Sequence, residues 1–89
     1  MKIKQGMVLC EVAGSFVAVP TGEALSDFSG VVHLNKTGRD IWNGVANGLS
    51  AEEIAAKLVE DYDGVTFEEA KKCTDEIIAK LLSEGLALI

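Results

Sequence analysis

A chain of 89 residues that is 48% hydrophobic is long enough for one small packed domain over residues 1–89 and too apolar to remain disordered. Its formal net charge of −6 repels phosphate backbones, and its eight basic residues are scattered among fourteen acidic ones, so no patch for nucleic acid is expected. No apolar run approaches the ~20 residues of a membrane span, and Met1-Lys2-Ile3-Lys4-Gln5-Gly6 lacks the apolar core of a signal peptide, which predicts a cytoplasmic protein without a membrane partner.

Met7 to Ala13 alternates weakly, with Val8, Cys10 and Val12 on one face and Met7, Leu9, Glu11 and Ala13 on the other, and reads as a strand. Gly14-Ser15 then separates it from Phe16-Val17-Ala18-Val19, the pattern of a hairpin with a two-residue turn that starts on glycine. Pro20 ends the second strand because it has no N–H for the ladder. Thr21 to Gly30 reads as a loop anchored by Leu25 and Phe28, and Val31 to Leu34 as a short third strand. A three-stranded antiparallel sheet leaves at least one long edge open.

At Asn35 the periodicity changes from two to about 3.6. Asn35 is a suitable N-cap for a helix from about Lys36 to Asn47, with Thr37, Ile41, Trp42 and Val45 facing inward. Asn47-Gly48 stops it. Ser50 and Glu53 form a capping box for a second helix with Ile54, Leu58 and Tyr62 on one face and Ala55 and Val59 beside them. After Asp63-Gly64, Thr66 and Glu69 repeat the device for the longest helix. Its stripe is wide. Ala70, Cys73, Ile77 and Leu81 suffice for a core contact, which leaves Thr74, Ile78 and Leu82 as a second apolar edge that either packs inside or lines a groove. Gly85 ends the helix in the manner of a left-handed cap, and Leu86-Ala87-Leu88-Ile89 is expected to pack back on the domain.

Catalytic constellations are missing from this inventory. His33 stands in a strand beside valines with no acid or nucleophile at a readable spacing, and the serines occupy turns, caps and helix ends. Cys10 and Cys73 have no CxxC spacing and cannot make a zinc quartet, and the acidic run Glu60-Asp61-Tyr62-Asp63 lacks the spacing of a calcium loop. The expectation is a non-enzyme with no metal and no cofactor, whose function is a binding surface of backbone and apolar side chains.

The stretch Leu34-Asn35-Lys36-Thr37-Gly38-Arg39-Asp40-Ile41-Trp42, followed by Gly48-Leu49-Ser50, Glu53-Ile54, Leu58, Asp61-Tyr62 and a long helix ending Leu81-Leu82-Ser83-Glu84-Gly85-Leu86, resembles the PqqD family. The resemblance is strongest from Leu34 to Leu86. From Val8 to Val32 it rests on strand pattern and length. It implies an α+β, winged-helix-like fold, a three-stranded antiparallel sheet followed by a three-helix bundle. It also implies a non-catalytic chaperone that captures the leader segment of a ribosomally made precursor peptide by adding it as a strand. Carried onto this chain, the peptide backbone would lie against Val31, Val32, His33 and Leu34, with its apolar side chains on Thr74, Ile78 and Leu82 and Lys71 at the rim. Family members act beside a modifying enzyme, often a radical S-adenosylmethionine protein, in the biosynthesis of pyrroloquinoline quinone or related peptide products. This chain has no CxxxCxxC motif, so that chemistry would belong to the partner.

Two other classes compete. A structural module could use the same open edge to form a homodimer. A winged-helix DNA-binding regulator shares the coarse element order but needs a basic recognition helix, where this chain has Glu52, Glu53, Glu60 and Asp61 against Lys57.

Overall fold

A computed structural model describes residues 1–22 and 32–88. Three strands form an antiparallel sheet: β2 (Met7–Val12), β3 (Ser15–Pro20) and β4 (Val32–Leu34), in that spatial order. Three helices follow, α1 (Lys36–Ala46), α2 (Ala51–Asp61) and α3 (Phe67–Ser83). The α+β fold expected from the sequence is thus present. It carries one addition, a separate two-stranded sheet in which β1 (Lys2–Ile3) pairs antiparallel with β5 (Ala87–Leu88). The C-terminal tail does pack back, and its partner is the first few residues of the chain: Lys4 N–H also donates to the Leu86 carbonyl at 2.8 Å. Two strands of two residues each carry too little pattern to be read in advance. Val31, the anchors Leu25 and Phe28, and Ile89 lie outside the described residues.

The hairpin turn sits one residue earlier than glycine placement suggests. Val12 pairs with Ser15, so the two turn residues are Ala13 and Gly14, with φ of +51° and +82°. Positive φ at both positions is what a type I′ turn requires, and this turn twists in the sense the strands need. Ala13 accepts the left-handed conformation despite its Cβ. Across the sheet, Leu9, Ala18 and Val32 stand in one cross-strand row on the inner face, while Val8 and Val12 on the other face are 44% and 59% exposed.

Helix boundaries follow the capping chemistry. Asn35 Oδ1 accepts from Gly38 N–H at 2.7 Å, and both capping boxes are formed, Ser50 with Glu53 and Thr66 with Glu69. Accepting from Ser50 N–H holds the Glu53 carboxyl below its ordinary pKa. Helices α1 and α3 both end in Schellman motifs. Gly48 N–H reaches the Val45 carbonyl and Leu49 N–H the Gly44 carbonyl, and the same pattern joins Gly85 to Leu82 and Leu86 to Leu81. Gly48 and Gly85 take the positive φ this requires.

The core lies where the three helices meet the inner sheet face. Ile41 and Val45 from α1, Ile54 and Ala55 from α2, and Leu86 from the tail are fully or almost fully buried, with Trp42 and Leu58 close behind. Each large aliphatic side chain so buried contributes about 1.5–3 kcal/mol. Helix α3 supplies Ala70, Thr74, Ile78 and Leu81. Of the two alternatives for the second apolar edge of α3, packing inside holds for Thr74, fully buried, and Ile78, 8% exposed, whereas Cys73 and Ile77, expected in the core contact, are only half-buried. The adjacent apolar pairs Ile77-Ile78 and Leu81-Leu82 each allow two helix rotations about 100° apart. Packing against the core, to which α2 contributes Ile54, Ala55 and Leu58, selects between them.

Candidate functional site

Strand β4 pairs with β3 on one side only; among the described residues no strand occupies its other edge. That edge looks across a cleft at α3. The cleft has a volume of about 210 Å³ and is lined by Val32, His33 and Leu34 of β4, Asn35 and Gly38 at the start of α1, and Ile77, Lys80, Leu81 and Glu84 of α3. Its walls are apolar where Val32, Leu34, Ile77 and Leu81 face it, and its rim carries one charge of each sign on α3, Lys80 and Glu84.

Local chemistry explains this arrangement. The three residues of β4 run into a helix with no spacer except the Asn35 cap, so the strand edge and the first turn of α1 are held rigidly together. Gly38 makes the junction tight. A Cβ there would lie 3.1 Å from Asn35 Oδ1 and 3.4 Å from Leu34 Cδ2, so a side chain would push on the cap and on the cleft wall at once. An extended segment entering the cleft finds on one side a strand edge that is unpaired among the described residues and on the other a helical ridge, the combination used in strand addition.

Of the residues predicted from sequence, Val32, His33 and Leu34 line this cleft. Thr74 and Ile78 do not, because their side chains are spent in the core. Leu82 is half-buried and packs against that core. Lys71 is turned elsewhere: its ammonium binds both oxygens of Asp75 at 2.8 and 3.0 Å and approaches Glu52 of α2 at 3.9 Å, and the Asp75 carboxylate raises its pKa. The α3 wall missed in the sequence is Ile77, Lys80, Leu81 and Glu84, displaced by about one helical position. The adjacent apolar pairs Ile77-Ile78 and Leu81-Leu82 hide the true rotation, since either member of each pair satisfies the periodicity.

A model of the family described as Coenzyme PQQ synthesis protein D (PqqD) matches residues 9–87. The chain belongs to the PqqD family. No relative is found among curated proteins. Two solved structures share the fold. One is described as TbiB1 in complex with the TbiA(beta) leader peptide, with 20% identity and a TM-score of 0.75 over 97% of this chain and 93% of that one. The other is a lasso peptide synthetase B1 complexed with the leader peptide, with 18% identity and a TM-score of 0.78 over 99% of this chain and 96% of that one. This PqqD family member therefore shares its fold, nearly end to end, with two chains whose structures hold leader peptides. Among its described residues there is no group of His, Cys, Asp and Glu side chains that could hold a metal, and no helix long and apolar enough to cross a membrane.

Proposed function

We propose that this PqqD family member is a non-catalytic recognition element that captures the leader segment of a ribosomally made precursor peptide and presents it to a modifying enzyme. The observation that carries this reading is the edge of β4, free among the described residues, facing half-buried Ile77 and buried Leu81 of α3 across one cleft. The leader adds as a strand along Val32, His33 and Leu34, and with it Val31. Main-chain bonds supply affinity, and alternate side chains reach Ile77 and Leu81. Among the described residues strand β2 also has a free edge in its sheet, but the cleft walled by α3 lies beside β4.

The enzyme partner, a radical S-adenosylmethionine protein or another peptide-modifying enzyme, acts in the cytoplasm on the captured precursor, toward pyrroloquinoline quinone or a related peptide product. The family membership and the leader peptides held by both structural neighbours support this assignment. A nucleic-acid partner is disfavoured by the exposed carboxylates Glu52, Glu53, Glu60 and Asp61 on α2.

The test is calorimetric titration with synthetic leader segments from short reading frames beside the gene. Saturable binding with a negative heat-capacity change is expected. Ile77→Asp should weaken it at least about tenfold by placing a carboxylate against the apolar side chain it would otherwise cover, while the protein stays folded. Absence of binding to every such peptide, together with a concentration-dependent dimer whose β4 amides are protected from exchange, would replace this reading by a homodimerisation module.

A further inference from the structure

The ridge of α3 does not end at the cleft beside β4. One turn toward the N-terminus of the helix, Cys73 stands four residues before Ile77, on the same face and likewise half-buried. It lines a second cavity of about 310 Å³ together with Thr37, Leu58, Tyr62, Val65 and Ala70. The two cavities share the first turn of α1 as their common wall: Thr37 lines one, and the next residue, Gly38, lines the other.

We propose that this second cavity is a subsite of the same groove and receives one bulky apolar side chain of the bound peptide, from the flank that runs on beyond Leu34. The proposal rests on the leader-binding reading above. A strand paired with β4 advances about 3.3 Å per residue, so the residues after those opposite Leu34 pass Asn35 and reach the first turn of α1, whose Thr37 lines the second cavity. Leu58, Val65, Ala70, the Tyr62 ring and the Cys73 thiol give it apolar walls. Its one charged lining group is Glu69, which is exposed and already holds the Thr66 hydroxyl at 2.9 Å. A large aliphatic or aromatic side chain would cover the half-buried apolar surface of Tyr62, Val65 and Cys73. Burial of one such side chain corresponds to a roughly tenfold to hundredfold gain in affinity.

The two cysteines make the subsite readable without a substitution. Cys73 lies within it, and Cys10 lies on β2, outside both cavities. Peptides selected from a displayed library of random linear sequences on the full-length protein would be added at saturation. Labelling of each cysteine by N-ethylmaleimide would be followed by mass spectrometry, and protection of the β4 amides by hydrogen exchange. Selected peptides are expected to protect β4 and slow labelling of Cys73 while Cys10 keeps its free rate. Removing their apolar residue on the flank beyond Leu34 should restore Cys73 labelling and cost tenfold to hundredfold in affinity, with β4 still protected. Peptides that protect β4 yet leave Cys73 at its free rate would overturn the subsite and leave leader capture intact. Failure to select any peptide that protects β4 would overturn leader capture and the subsite with it. Cys73 protection that rises with protein concentration alone would assign the cavity to a second copy of the chain.

Discussion

The Tyr62 hydroxyl donates to Asp40 Oδ2, tying the C-cap of α2 to the middle of α1. Asp40 also holds its neighbour Arg39, with Nη2 at 2.7 Å, and the Arg39 guanidinium stacks over the Phe16 ring of β3 with its centroid 4.6 Å away. One chain of contacts thus runs from the sheet through the first helix to the end of the second.

Accepting the hydroxyl proton at the Asp40 carboxylate raises the Tyr62 pKa above its ordinary value of 10.0. The contribution of this bond to stability is therefore complete below that ordinary value and is lost as pH rises through the higher folded-state value. Tyr62→Phe is expected to cost about 1 kcal/mol at neutral pH, the usual net worth of a partly exposed hydrogen bond. It should also flatten the alkaline decline in stability. Urea unfolding of both proteins from neutral to strongly alkaline pH measures this; equal slopes would sink it.

Gly44 lets α1 approach α2. A Cβ there would fall 2.6 Å from Ile54 Cγ1 and 3.0 Å from Cδ1, and Ile54 is buried. Gly44→Ala gains up to about 1 kcal/mol of helix propensity and loses more to overpacking, which typically costs 1–3 kcal/mol. A lowered melting temperature is expected, with recovery when Ile54→Val is added. A stabilised Gly44→Ala single variant would mean that the helices separate freely.

The Thr74 hydroxyl is buried without a hydrogen-bond partner. Thr74→Val keeps the shape and removes the unpaired polar group, and is expected to stabilise the fold by about 1 kcal/mol. Because Thr74 faces the core, peptide affinity should not change. Loss of affinity in a folded Thr74→Val protein would place the hydroxyl in the binding groove after all.

Ala13 carries a positive φ that asparagine tolerates better, and Asn-Gly is the favoured type I′ pair. Ala13→Asn should raise stability by about 0.5–1 kcal/mol, read as a higher denaturant midpoint with unchanged slope. A lower midpoint would contradict the turn.

Adjacent α3 residues separate the two functions of that helix. Ile78→Asp should unfold the protein, since it buries a carboxylate among apolar neighbours, while Ile77→Asp should leave circular dichroism native and remove peptide binding. The reverse pattern would restore the rotation of α3 first read from periodicity.

Much of this protein is set by interactions within a few residues, and that part can be read directly from the chain. The Asn35 cap, the Ser50–Glu53 and Thr66–Glu69 boxes, the glycine stops at Gly48 and Gly85, the sheet before the helices and the motif from Leu34 to Trp42 all depend on local hydrogen bonding and periodicity. The choice of β4 as the candidate binding strand came instead from the resemblance to the PqqD family. The rotation of α3 about its axis is different. Ile77-Ile78 and Leu81-Leu82 satisfy either choice, and only packing against the core sends Thr74 and Ile78 inward and leaves Ile77 at the cleft. The pairing of β1 with β5, the choice of Ala13-Gly14 over Gly14-Ser15 in the turn, and the cavity shared by α1, α2 and α3 were likewise decided by packing between segments distant in sequence or by the register of paired strands. Local free energies identify the elements; long-range contacts determine which of their faces remain available to a peptide.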